Sequence, residues 1–86
     1  MKLSIYSLKN ILFQGSATSL NCQTVMGEIT VLDNHEALIS VLSAGVVKII
    51  DENKREQNFP IKSGFLEVLP AQAGKPGNEV RCIVEQ

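Results

Sequence analysis

Gly27-Glu28-Ile29-Thr30-Val31-Leu32-Asp33-Asn34-His35-Glu36-Ala37-Leu38-Ile39-Ser40-Val41-Leu42 reads as a strand, a polar corner and a second apolar segment. Glu28, Thr30 and Leu32 alternate with Ile29 and Val31, which is the period of a strand. Gly27 permits a backbone angle that other residues avoid. Asp33 and Asn34 are turn formers, because their short side chains bond nearby backbone and tolerate the left-handed region. His35 stands at the corner. Leu38, Ile39, Val41 and Leu42 fit a strand or a short helix equally well.

The flanks extend the strand reading. Leu3 to Ser7 alternates, with Leu3 and Ile5 on the inward phase. Lys9-Asn10 makes a turn, Ile11-Leu12-Phe13 resumes, and Gly15-Ser16 is expected to break the strand. Thr18 to Thr24 alternates again, with Leu20 and Cys22 on one face. After Ala44-Gly45, Val46 to Ile50 is a β-branched run. The mixed charges of Asp51 to Gln57 read as a solvated hairpin tip. Pro60 cannot donate to a ladder, so the strand around Phe59 and Ile61 belongs at an edge or turns Pro60 outward. Ser63-Gly64 is expected to turn the chain before a strand from Phe65 to Leu69, which Pro70 ends. Gln72 to Asn78, with two glycines and a proline, reads as a flexible loop. Val80, Cys82 and Val84 line the inner face of the last strand.

Short strands with turn signals between them predict an all-β fold, an antiparallel two-sheet sandwich or flattened barrel, with less than about a tenth helix. The expected core is Leu3, Ile5, Leu20, Cys22, Ile29, Val31, Val47, Ile49, Phe65, Val80, Cys82 and Val84. Eighty-six residues make one small domain (1–86), whose modest core leaves room for support from a partner.

Composition narrows function by exclusion. The net charge is −1 and the eight basic residues are scattered, so no electrostatic footprint for nucleic acid exists. No apolar run approaches the roughly 20 residues that span a bilayer, and the N-terminus does not read as a signal peptide. Cys22 and Cys82 lack zinc-ligand spacing and lie on apolar phases, so they read as reduced, buried residues. His35 is the single histidine; Asp33 and Glu36 could orient it as a base, but a short convex corner offers no pocket. Nor can Asp33, His35 and Glu36 converge easily on one metal ion. No catalytic, cofactor-binding or metal-binding residue is expected. What remains is a sandwich that binds protein.

Several segments resemble the epsilon subunit of F-type ATP synthases. There the pattern runs Gly-Glu-hydrophobic, then Pro-Gly-His-Ala-Pro-Leu; Gly27, Glu28, His35 and Leu38 match, Asn34 stands for Gly, and Glu36-Ala37 for Ala-Pro. Ala44-Gly45-Val46-Val47-Lys48-Ile49 is similar to Pro-Gly-x-x-Arg-Ile. Ser63-Gly64-Phe65-Leu66-Glu67-Val68 is similar to Gly-Gly-Phe-hydrophobic-Glu-Val and is the most specific segment. Ile11 to Gly15 looks like the family's Phe and Gly after a short turn.

The resemblance implies a sandwich of about ten short strands at the foot of the central stalk, between the gamma subunit and the membrane c-ring. It implies a non-catalytic rotor subunit that couples proton or sodium flow to ATP synthesis. The expected location is cytoplasmic, peripheral at the inner face of the cell membrane through the complex. Glu28 and His35 match positions toward the c-ring; Ser7 and Ser40 match positions toward gamma. Many members add a C-terminal helical hairpin, in some of which ATP binds; that hairpin is expected to be absent here, and ATP binding with it. The Gln72–Asn78 loop looks longer than the family's turn. The alternative reading is a free-standing sandwich that binds a small ligand or regulatory peptide.

Overall fold

The computed structural model describes residues 1–70 and 77–86; the expected loop from Gln72 falls mostly outside them. Among the described residues there are eight strands and no helix: β1 (Lys2–Tyr6), β2 (Ile11–Thr24), β3 (Gly27–Leu32), β4 (Leu38–Leu42), β5 (Gly45–Asp51), β6 (Glu56–Ile61), β7 (Ser63–Leu69) and β8 (Glu79–Glu85). The ambiguous segment after the corner is thus a strand, β4.

The long strand β2 organises the rest. Its first half pairs with β1, from Tyr6↔Ile11 to Lys2↔Ser16. Its second half pairs with β3 on one side and β5 on the other. Pairings β1–β8, β8–β7, β7–β4 and a single β4–β2 step, Thr24↔Leu42, close a flattened ring. One layer therefore holds the first half of β2 with β1, β8, β7 and β4. The other holds β3, the second half of β2, β5 and β6.

Four expectations change. Gly15-Ser16 does not break a strand: Gly15 pairs with Leu3 inside β2, and its φ is not positive. The bend comes at Thr18, an extra residue between Ala17↔Asp51 and Ser19↔Ile50. Its hydroxyl donates to the Ile50 carbonyl at 3.2 Å, satisfying a group that the bulge would strand. This continuity merges two expected strands into one; the described residues hold eight strands, where the resemblance implied about ten. Ser63-Gly64 likewise lies within β7, and only Lys62 separates β6 from β7. The pairing is not wholly antiparallel, since β1 and β8 run parallel. They are the first and last strands, so the whole sandwich serves as their crossover connection.

Inward residues from both layers form one core. Leu3, Ile5, Leu66, Val68, Val80, Cys82 and Val84 come from the first layer, and Leu20, Cys22, Val31, Val47, Ile49 and Ile61 from the second. Phe65 is the fourth correction: it is exposed, not core. Leu66 and Val68 pair with Cys82 and Val80 on the inward phase, so strand alternation turns Phe65 outward. Ile29 is half-buried and packs against the core. Edge strand β6 carries Pro60 exposed, opposite Val46. Asp51 fastens the β5–β6 tip: its Oδ1 accepts the amides of Arg55 and Asn53, both at 2.9 Å, while Lys54 takes φ 64°. Those bonds, Arg55 first, hold the Asp51 carboxyl below its usual range.

Cys22 and Cys82 are free thiols, both fully buried. Burial pushes Cys22 up to about 11; burial and then the neighbouring Cys22 push Cys82 up to about 12. A thiol with a raised pKa in the folded state loses its stabilising contribution as pH rises, because the unfolded chain ionises first. Urea stability should therefore hold up to about pH 9 and then fall steadily toward pH 11 or above. Replacing Cys82 with Val should flatten that slope, which urea titrations at several pH values would measure.

Candidate docking surface

The two outer faces of the sandwich differ in chemistry. On the second layer Leu32 and Val46 are exposed, but the centre is polar and bonds across strands: Asn21 Nδ2 to Thr30 Oγ1 at 2.9 Å, Gln23 Nε2 to Glu28 Oε2 at 3.2 Å, and Lys48 Nζ to Glu56 Oε1 at 3.9 Å. On the first layer, β4, β7 and β8 turn large apolar side chains to solvent. Val41 pairs with Phe65 and Phe65 with Ile83, so the three form a row across the strands. Phe65 is 59% exposed, and Ile39, one step along β4, is 76% exposed. Leu8, from the β1–β2 loop, lines a shallow depression with Val41, Phe65 and Ile83.

Local sequence explains the row. In β4 the inward phase takes Leu38, Ser40 and Leu42, which leaves Ile39 and Val41 outside. In β8 the inward phase takes Val80, Cys82 and Val84, which leaves Ile83 outside. In β4 both phases carry apolar residues, a pattern expected where both faces are covered, whereas in β8 Ile83 stands among charged outward neighbours. Along one side of the row, Arg81 bonds Glu67 at 3.3 Å and Glu79 at 3.1 Å. These exposed pairs each contribute only about 0.2–1 kcal/mol. The apolar row carries the energetic capacity, at about 25 cal/mol for each Å² covered.

The four residues singled out in the sequence do not share one place. Glu28 is exposed at the start of β3, beside the β2–β3 turn. His35 is half-buried past the other end of β3, its Nδ1 2.7 Å from the Glu36 carbonyl. They stand at opposite ends of the sandwich, which corrects the expectation that both face one end. Ser7 sits beside Leu8 and its hydroxyl bonds within the β1–β2 turn to Asn10. Ser40 lies on the inward phase of β4, between outward Ile39 and Val41. Ser7 thus borders the apolar row, while Ser40 lies behind it on the inner face of β4.

The His35 corner has a fastening that was not legible in the sequence. Asn34 takes φ 68°. Asn78, buried, donates from Nδ2 to the carbonyls of His35 at 3.1 Å and Leu32 at 3.4 Å. Its own carbonyl accepts from Lys2 N at 2.8 Å. The Asp33 carboxylate is engaged by the Met1 nitrogen at 2.6 Å, so it does not face His35 as a catalytic partner would. Asn78→Ala keeps the backbone bond to Lys2 but should release the Leu32 and His35 carbonyls, at a cost of about 1–3 kcal/mol. Equilibrium denaturation measures the loss, and amide exchange should rise first at residues 33 to 36. Among the described residues no group of three His, Cys, Asp or Glu side chains could hold a metal ion.

Geometry of this kind defines a class: a small β-sandwich whose working feature is an exposed apolar sheet face, suited to docking on protein. Comparison with known proteins gives the family. Residues 1–73 match the family model for the beta-sandwich domain of the ATP synthase delta/epsilon chain. The chain belongs to that family. It is 36% identical over 67 residues to the ATP synthase epsilon chain of Clostridium novyi (strain NT), covering 78% of this chain and 51% of that one. It is 31% identical over 70 residues to the epsilon chain of Acinetobacter baumannii (strain SDF), covering 81% and 50%. The chain thus spans about half the length of these curated relatives. Its fold is similar to a chain in the cryo-EM structure of the Euglena gracilis mitochondrial ATP synthase, OSCP/F1/c-ring, with a TM-score of 0.84 at 18% identity, over 100% of this chain and 51% of that one. A chain of the Tetrahymena thermophila central stalk/c-ring structure gives a TM-score of 0.75 at 14% identity, over 100% and 63%.

Proposed function

We propose that this chain is a non-catalytic rotor subunit of an ATP synthase, joining the gamma subunit to the c-ring and so coupling ion flow to ATP turnover. The observation that carries the reading is the exposed row Val41–Phe65–Ile83, with Ile39 and Leu8, on the β4–β7–β8 face. That face is the gamma-docking surface. Ser7 lies at its border and Ser40 behind it, on the inner phase of β4. The end that carries Glu28 is directed to the c-ring, and His35, at the opposite end, is not a ring contact. Membership of the delta/epsilon family supports this assignment, as do solved complexes of similar fold that contain a c-ring. The chain then lies at the membrane surface only through the complex.

The test is titration of the purified chain into gamma-containing F1 depleted of its own epsilon chain, followed by calorimetry. Saturable binding with a negative heat-capacity change is expected, since apolar surface is covered. No binding at micromolar concentrations would remove the proposal.

A further inference from the structure

The second layer has two edge strands, β6 and β3, and they are built differently. β6 is closed to a further strand: Pro60 has no N–H to offer, and Gln86 Nε2 caps the Pro60 carbonyl at 3.5 Å. Among the described residues β3 pairs with β2 alone, and it carries neither proline, bulge nor lysine. Its open side follows from the bonds of β2. The Gln23 carbonyl accepts from Ser43 N at 3.0 Å, on the side of β2 away from β3. Gln23↔Glu28 is therefore a pair without ladder bonds, and alternation turns the backbone N–H and C=O of Glu28, Thr30 and Leu32 to the free edge. All three residues are exposed. Of their outward groups only the Leu32 carbonyl is engaged among the described residues, by Asn78 Nδ2 at 3.4 Å.

We infer that this edge takes a second copy of the chain, β3 pairing antiparallel with the β3 of the copy about a two-fold axis at Thr30. Self-complementarity selects this occupant. Centred on Thr30, the pairing sets threonine opposite threonine and each Glu28 opposite a Leu32, so no like charges meet. Centring on Glu28 would oppose two carboxylates, and centring on Leu32 would leave only the end of the strand to pair. In the Thr30 register the two Thr30 residues exchange both ladder bonds. Each Leu32 N–H meets a Glu28 carbonyl, and each Glu28 N–H shares a Leu32 carbonyl with Asn78. On the inner phase Ile29 comes opposite Val31, which covers the side chain that the open edge leaves half-buried. The same patch serves both copies, so the assembly closes at two. The β4–β7–β8 face belongs to the other layer and stays uncovered. The inference goes beyond the rotor reading and does not rest on it, since it concerns the free chain.

The experiment is sedimentation velocity of the purified chain from about 1 μM to about 1 mM. A concentration-dependent equilibrium between monomer and dimer is expected, with the amides of Glu28, Thr30 and Leu32 exchanging more slowly as the dimer fills. Thr30→Lys brings two ammonium groups together on the axis and should weaken the dimer about tenfold or more. Leu32→Lys sets an ammonium opposite Glu28 and should tighten it about twofold or more. Both positions are exposed, and Thr30 gives up only the bond from Asn21 Nδ2. Both variants should therefore fold as the parent chain does, which the urea midpoint checks. Asn58→Lys, on the closed edge strand β6, should leave the dimer unchanged. A monomer at every concentration, or a dimer indifferent to Thr30→Lys or weakened by Leu32→Lys, would overturn the inference. A dimer abolished by Phe65→Glu would overturn it in favour of association through the apolar face.

Discussion

Replacing Phe65 with Glu should weaken binding to gamma by about 30-fold or more, with little change in folding stability. Phe65 sits at the centre of the exposed row, between Val41 and Ile83. Central aromatic residues in an interface carry about 2 kcal/mol or more of its energy, and a carboxylate forced into that contact would lose its water. Phe65 is already 59% exposed, so the free chain has little to lose; the change in unfolding free energy should stay within about 0.5–1 kcal/mol. Calorimetric binding beside urea denaturation separates the two effects. A collapse in stability would mean that Phe65 serves the fold.

The second large effect is the converse, a change felt by the fold. A Cβ placed on Gly64 would come 2.5 Å from the Ile83 carbonyl oxygen and 3.1 Å from Val84 Cα. Both are backbone atoms of β8, so no side chain can swing aside. Gly64→Val should force the β7–β8 pair apart at its Gly64↔Val84 step and cost about 2–3 kcal/mol. For a domain of this size that lowers the melting temperature by roughly 10–20 °C. Gly15 is the control. It too lies inside a strand, but a Cβ there meets only the Phe13 ring, at 3.6 Å. Gly15→Ala should change stability by less than about 1 kcal/mol, and thermal unfolding of the two variants side by side measures the contrast.

Strand alternation made much of the fold legible. Leu3, Ile5, Leu20, Cys22, Val31, Val47, Ile49, Val80, Cys82 and Val84 all lie in the core, because each sits in a strand with polar residues on the other phase. The reading failed where a large apolar residue falls on the polar phase. Phe65 shares its phase with Glu67, yet its bulk argues for the core; pairing with β8 shows it turned outward. In β4 Ile39 and Val41 likewise pass for surplus core, which concealed the exposed apolar face. Glycines misled in a second way. Gly15 and Gly64 look like turn signals but lie inside strands, Gly64 because of close backbone approach rather than a positive angle. The Asn78 fastening was out of reach, because its bonds to Leu32 and His35 span 46 and 43 residues. Glu28 and His35 were legible as residues, but not their opposite placement.

Backbone amide chemical shifts of the chain, recorded as gamma is added, test the central claim most directly. The account predicts that perturbations concentrate at Ile39 to Val41, Phe65 and Ile83 on β4, β7 and β8, and that Asn21, Thr30 and Lys48 on the polar outer face stay unmoved. Perturbations centred on that polar face, with the β4–β7–β8 row unchanged, would contradict it.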